Sequence, residues 1–213
     1  MNTFDEFYAD SGIEYLSLEE IINVHDTSLD ASGGLHGIRE EGLLKSIITS
    51  IQNDDYYPTI VLKLAHLIFS INKYHCFVDG NKRTSISAGY LFLILNGWTE
   101  EYCLLFHIFM EEVVLWLAEN IINKNDLEIL LSIYLSDSED YCEANLLDIH
   151  WQHIYKTSNE YFFGLQNKIK QLNEKINSEV LSLEEKQLLK KSFDKDEKMM
   201  QKIEEIFSLT YHR

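Results

Sequence analysis

Proline and glycine are scarce: one Pro and 9 Gly in 213 residues. A chain so poor in both has little material for strand-and-turn architecture, and its abundant Leu, Ile, Glu, Lys and Asn favour helices. Cysteine is also sparse. Cys76, Cys103 and Cys142 are scattered, odd in number and without CxxC spacing, which argues against a zinc site or a disulfide framework. Reduced thiols in a cytosol are the simple reading. Positive charge is in deficit: 18 Lys+Arg against 35 Asp+Glu leaves −17. Such a field repels phosphate backbones, so no nucleic-acid partner is expected. A local phosphate pocket, needing only two or three well-placed cations, is still allowed. No long apolar run is present. The longest, around Tyr90–Leu95, is far too short to cross a bilayer. The acidic stretch Met1–Glu6 lacks the basic start and apolar run of a signal peptide. A cytoplasmic location with no membrane partner is the expectation.

What remains is 46% hydrophobic residues, ample for one sizeable core. Ser17-Leu18-Glu19-Glu20 reads as a capping box opening a helix. Ser32-Gly33-Gly34-Leu35-His36-Gly37 breaks that helix into a loop or small hairpin. Leu43, Leu44, Ile47, Ile48 and Ile51 mark the next helix, from Glu40. Pro58 suits the first turn of a third, whose stripe runs from Ile60 to Ile71. A very apolar helix covers Ile86–Leu95 and stops at Asn96-Gly97. Another runs from about Glu101 to Ile121, and Asn125 with Glu128 is a candidate cap for the next. Aspartate and serine at Ser136–Asp140 read as a linker. Beyond it, Leu165, Ile169, Leu172 and Ile176 keep helical spacing, and Ser182 with Glu185 forms a second capping box. These last helices are amphipathic and suited to packing as a hairpin on the core or on another subunit. The division expected is a catalytic domain, residues 1–135, and a C-terminal helical extension, residues 136–213.

Between the third helix and the very apolar one lies His75-Cys76-Phe77-Val78-Asp79-Gly80-Asn81-Lys82-Arg83-Thr84. Helices at both ends make such a loop rigid, as a catalytic constellation requires. Phe77 can anchor it in the core, and Gly80 permits a tight turn. Asn81, Lys82 and Arg83 then fall in a helical first turn, where free N–H groups and the positive dipole end gather anions. Arg83 can grip phosphate bidentately. Asp79 offers a hard oxygen for Mg²⁺ shared with a nucleotide phosphate. A neutral His75 can take a proton from a hydroxyl. Base, metal ligand and anion hole within nine residues describe phosphoryl or nucleotidyl transfer from ATP.

At these residues the chain resembles the Fic/Doc superfamily, whose general pattern is His-Pro-Phe-x-(Asp/Glu)-Gly-Asn-Gly-Arg-x-x-Arg. It keeps His75, Phe77, Asp79, Gly80, Asn81 and Arg83, and departs at Cys76, Lys82 and Ile86. Lys82 and Thr84 are similar to the death-on-curing (Doc) toxin branch, His-x-Phe-x-Asp-x-Asn-Lys-Arg-Thr. Gly33-Gly34-Leu35-His36-Gly37-Ile38-Arg39 and Phe92–Gly97 also look Doc-like, and the resemblance covers about residues 13–120. It implies a compact all-α fold. It implies His75 as catalytic base, Asp79 as the Mg²⁺ ligand, and Gly80, Asn81, Lys82 and Arg83 at the phosphates. Gly33, Gly34, Leu35, His36 and Gly37 would form the flap that aligns a target segment. Ordinary Fic enzymes move AMP to a protein hydroxyl. The Doc branch moves the ATP γ-phosphate to a threonine of elongation factor Tu, a translation factor. Lys82 and the missing arginine at Ile86 favour kinase activity and a toxin paired with an antitoxin. AMP transfer, or a non-catalytic scaffold binding a partner, are the alternatives.

Blander readings apply elsewhere. His25, His36 and His66 read as structural, and Cys76 as a packed thiol. The Fic inhibitory pattern Ser/Thr-x-x-x-Glu-Gly/Asn has no match in the chain. A separate antitoxin protein is therefore the expected restraint, with the C-terminal extension able to recruit it or to mediate homo-oligomers.

Overall fold

The computed structural model describes residues 12–136, 163–177 and 181–211. They are helical with no strand among them, so the all-α expectation holds. The helices are α1 (Leu18–Ser32), α2 (Glu41–Ile51), α3 (Ile60–Tyr74), α4 (Asn81–Leu95), α5 (Glu100–Ala118), α6 (Lys124–Ser136), α7 (163–176) and α8 (Leu183–Tyr211). They fall in two compact units. One holds the chain through Glu128, and the other takes up Ile129 to the end of α6 together with α7 and α8.

In the first unit α3 lies against α2, α4 and α5, while α4 lies against α1, α3 and α5. The crossing is tight at Gly89, where an added Cβ would come within 3.0 Å of Ile68 Cδ1 and 3.2 Å of Phe106 Cε1. Ala65 and Ala88 are likewise fully buried. Phe77, Phe92 and Phe106 are fully buried as well, each burial contributing roughly 2–3 kcal/mol. The outcome is a rigid pair, α3 and α4, joined by the six residues His75–Gly80.

The helix starts follow local chemistry. Ser17 and Glu20 form the expected capping box of α1. Thr59 caps α3 by accepting from the Leu62 N–H at 3.2 Å, so Pro58 lies just outside the helix rather than in its first turn. Thr99 does the same for α5. α6 is capped by Asn123 and Asp126, each accepting the other's N–H, not by Asn125 and Glu128. The pattern slid by two residues because either Asn precedes an acid by three. Lys73 closes the other end of α5, donating to Leu117 O at 3.1 Å and Asn120 Oδ1 at 2.7 Å.

In the second unit Leu165 and Leu172 of α7 are buried and Ile169 and Ile176 half-buried, as the spacing predicts. Lys168 of α7 pairs with the buried Asp196 of α8 at 2.8 Å. The Ser182–Glu185 capping box is formed. The expected linker lies outside the described residues beyond Ser136.

Candidate active site

His75 ends α3 in the left-handed conformation, φ 51° and ψ 48°. Glycine or asparagine commonly takes this place; for an L side chain it costs about 1 kcal/mol or more. The strain turns the exposed imidazole out of the helix line, at the mouth of a cavity of about 320 Å³. Its walls carry His75, Val78, Asp79, Gly80, Asn81, Lys82 and Arg83, with Asn72 and Ala118 behind. The fold therefore gathers every residue of the decapeptide to which a chemical role was assigned.

The loop is held from below. Phe77 is fully buried, as its anchoring role requires. Asn81 is also buried. Its Oδ1 accepts the Phe77 N–H and its Nδ2 donates to the Phe77 carbonyl, both at 2.9 Å. Its side chain is thus spent on bracing the loop, and its backbone N–H is what it can offer an anion. Gly80 sits at φ 74°, which lets the chain turn into α4. Cys76 is buried, and burial pushes its thiol up to about 11, so it stays protonated and inert.

Asp79 projects from the loop half-exposed. Its Oδ1 accepts the Gly80 N–H at 2.6 Å and its Oδ2 the Leu35 N–H at 3.4 Å. These two backbone bonds, ahead of the Arg83 charge, hold its carboxyl below the usual range, so it is ionised at neutral pH. An exposed carboxylate beside a helix N-terminus fits Mg²⁺, which takes one or two carboxylates plus phosphate oxygens and water. Lys82 is exposed and lines both this cavity and a neighbouring groove of about 780 Å³ between α1, α4 and α5. Arg83 is committed on one side: its Nη1 donates to the Gly33 carbonyl at 2.7 Å and reaches Ser32 Oγ. Its Nη2 lies 3.9 Å from Asp79.

The segment Gly33–Gly37 is extended rather than a hairpin, and it lies along the loop. Ile38 and Phe77 form an antiparallel bridge. Val78 N–H donates to Gly37 O at 2.9 Å, and Arg39 N–H to Cys76 O at 2.7 Å. Position 34 favours glycine. At φ 139°, a Cβ there would meet Leu29 Cδ2 at 2.6 Å and Asp79 Oδ2 at 2.7 Å. Leu35 stands outward, 69% exposed.

Two contributors escaped the sequence reading. His25, in α1, stacks on Phe77 with ring centroids 3.9 Å apart, and its Nε2 meets the Asp79 carbonyl at 3.1 Å. Nothing local signals this, since 54 residues separate the two. Asn72 donates to Val114 O, leaving its buried Oδ1 on the cavity wall with no partner among the described residues.

Residues 15–93 match the Fic/DOC family. The chain is 35% identical to the "Toxin Doc" of Mycolicibacterium smegmatis over 88 residues, 39% of this chain and 65% of that protein. It is 33% identical to the "Protein kinase doc" of Escherichia phage P1 over 89 residues, 40% of this chain and 70% of that one. A helical core holding a histidine, an acid and a cationic helix start around one cavity defines the class, and the chain belongs to the Fic/DOC family. The match does not reach the second unit, and the chain spans under two thirds of the first of these relatives.

Proposed function

We propose that the chain transfers the γ-phosphate of ATP to a Ser or Thr hydroxyl of a protein. The observation that carries this is the α4 start. Lys82 and Arg83 stand in the first helical turn beside the ionised Asp79 and the strained His75, all on one cavity wall. Cations in a first turn oppose the helix dipole unless an anion sits with them, and a polyphosphate is the anion that suits. In this reading His75 removes the proton from the target hydroxyl as its oxygen attacks the γ-phosphorus. The bond to the β,γ-bridging oxygen breaks, and ADP leaves with that electron pair. Lys82, the Arg83 guanidinium and the first free N–H groups of α4 hold the phosphate oxygens. Mg²⁺ held by Asp79 would supply charge neutralisation. Lys82 favours γ-transfer over AMP transfer because its side chain and charge occupy space that a glycine leaves open.

The extended Gly33–Gly37 segment, with Leu35 outward, is the proposed guide for the target strand. The name "Protein kinase doc" of one relative agrees with the activity, and "Toxin Doc" of the other with a toxin. A cytoplasmic site of action, a translation factor as target, and a second unit serving an antitoxin or a second copy complete the proposal. No helix among the described residues is long and apolar enough to cross a membrane.

The test is γ-labelled ATP added to the purified chain and a cell lysate. The expected result is label on a protein, reduced by a factor of about 10²–10⁴ in His75→Ala. Absence of any γ-label transfer, or transfer undiminished in His75→Ala, refutes the proposal.

A further inference from the structure

A second cluster lies next to the loop, built from two residues of α1 and His36 of the flap. His25 is buried, 1% exposed, and its Nε2 faces the Asp79 carbonyl at 3.1 Å. A carbonyl only accepts, so the Nε2 carries the hydrogen. In the neutral ring Nδ1 is then bare, yet it points at Asp26 Oδ1 from 2.8 Å. His36 approaches from the flap with a carboxylate at each nitrogen. Its Nε2 faces Asp30 Oδ1 at 3.2 Å and its Nδ1 faces the same Asp26 oxygen at 3.1 Å. Two imidazole nitrogens and a carboxylate oxygen thus converge, all within 4.8 Å of one another, and with the His36 hydrogen on Nε2 both Nδ1 lone pairs face the shared oxygen.

We propose that His25, Asp26 and His36 bind a divalent transition ion of the zinc class, which clips the flap to α1. Three observations carry this. The donor set of two imidazoles and one carboxylate is one that such ions use, with remaining positions for water. The outer N–H of each ring is already engaged, by a backbone carbonyl for His25 and a carboxylate for His36, which is how ligating histidines are held in the metallated tautomer. The three donor atoms all lie within 4.8 Å of one another, so small side-chain shifts bring them onto one ion at bond lengths of about 2.0–2.1 Å. Mg²⁺, which prefers oxygen, does not match. The site is distinct from Asp79, whose carboxylate points to the loop cavity.

The clip has a mechanical consequence. His25 also stacks on Phe77, so an ion joining it to His36 ties α1, the flap and the loop at one point. A proton on His36 is the competitor, and metal uptake displaces it.

The test uses the full chain above neutral pH, with Co²⁺ as the visible probe and Zn²⁺ as its competitor. One Co²⁺ per chain is expected, displaced by Zn²⁺ but not by Mg²⁺. The exposed substitutions His36→Ala and Asp26→Asn should each weaken uptake at least tenfold, while His107→Ala leaves it unchanged. Zn²⁺ should also slow amide exchange across residues 33–39 in the wild type and not in His36→Ala. Absence of saturable uptake, or uptake that survives both His36→Ala and Asp26→Asn, overturns the proposal and leaves hydrogen bonding as the cluster's purpose. Neither readout depends on transferase activity, so this result and that of the labelling test are separate.

Discussion

At the scale of the residue, His75 carries two properties that mutation can separate. Its chemistry belongs to the imidazole, and its strain to the backbone at φ 51°. His75→Gly and His75→Ala both remove the base, but only glycine takes that conformation freely. The glycine variant should be the more stable of the two by about 1 kcal/mol in urea denaturation, with both equally inactive. Asn81 makes the opposite case. Asn81→Ala strips two hydrogen bonds from the buried Phe77 backbone. Each group left unpaired costs about 1–3 kcal/mol, so the melting temperature should fall more than for Lys82→Ala, which touches only the exposed cation. Gly34→Ala should disturb the site without removing any chemical group, because its Cβ collides with Leu29 and the Asp79 carboxylate. Its expected signature is lost transfer with Asp79 and His75 intact.

At the scale of the element, α3 sets the site by where it ends and by how firmly it is held. Its outer face carries His66, which stacks on Tyr57 and faces its hydroxyl at 3.0 Å. Burial, aided by the Lys124 charge, pushes His66 from 6.5 down to about 4. The ring is therefore neutral in the folded chain while the unfolded chain protonates below about 6.5. Because the unfolded state binds the extra proton, stability is full above that value and falls as the pH drops towards about 4. His66→Gln should flatten the pH dependence of the urea midpoint in this window. Much of this layer was legible in advance. The Ile60–Ile71 stripe and the Ser17–Glu20 box are local signals, and both elements formed where expected. The α6 cap was misplaced because Asn123–Asp126 and Asn125–Glu128 carry the same chemistry two residues apart. His25 on Phe77, and Arg83 on Gly33, could not be read at all, since each contact joins segments some 50 residues apart. Periodicity describes one element's face and says nothing about which partner will meet it.

At the scale of the whole molecule, the two units pose different questions. The first contains the Fic/DOC match and the cavity, with Lys82 and Arg83 together at the start of α4. Its buried Lys63 anchors the α2 end, with Nζ 2.8 Å from Ile51 O and 2.6 Å from Asp54. Lys63→Ala leaves the Ile51 carbonyl without its partner and should cost about 1–3 kcal/mol, seen as a lower urea midpoint, without changing which phosphate is transferred. The second unit lies outside the family match, and truncation before α7 should alter oligomeric state or restraint by a partner, measured by light scattering and growth arrest. The proposed γ-phosphate transfer belongs to the first unit alone and turns on Lys82. Its most direct test labels ATP separately at the α and γ positions and follows each label onto protein in the same lysate. Label from the γ position alone is the predicted result; label from the α position on the target, lost in His75→Ala, would establish AMP transfer and contradict the account.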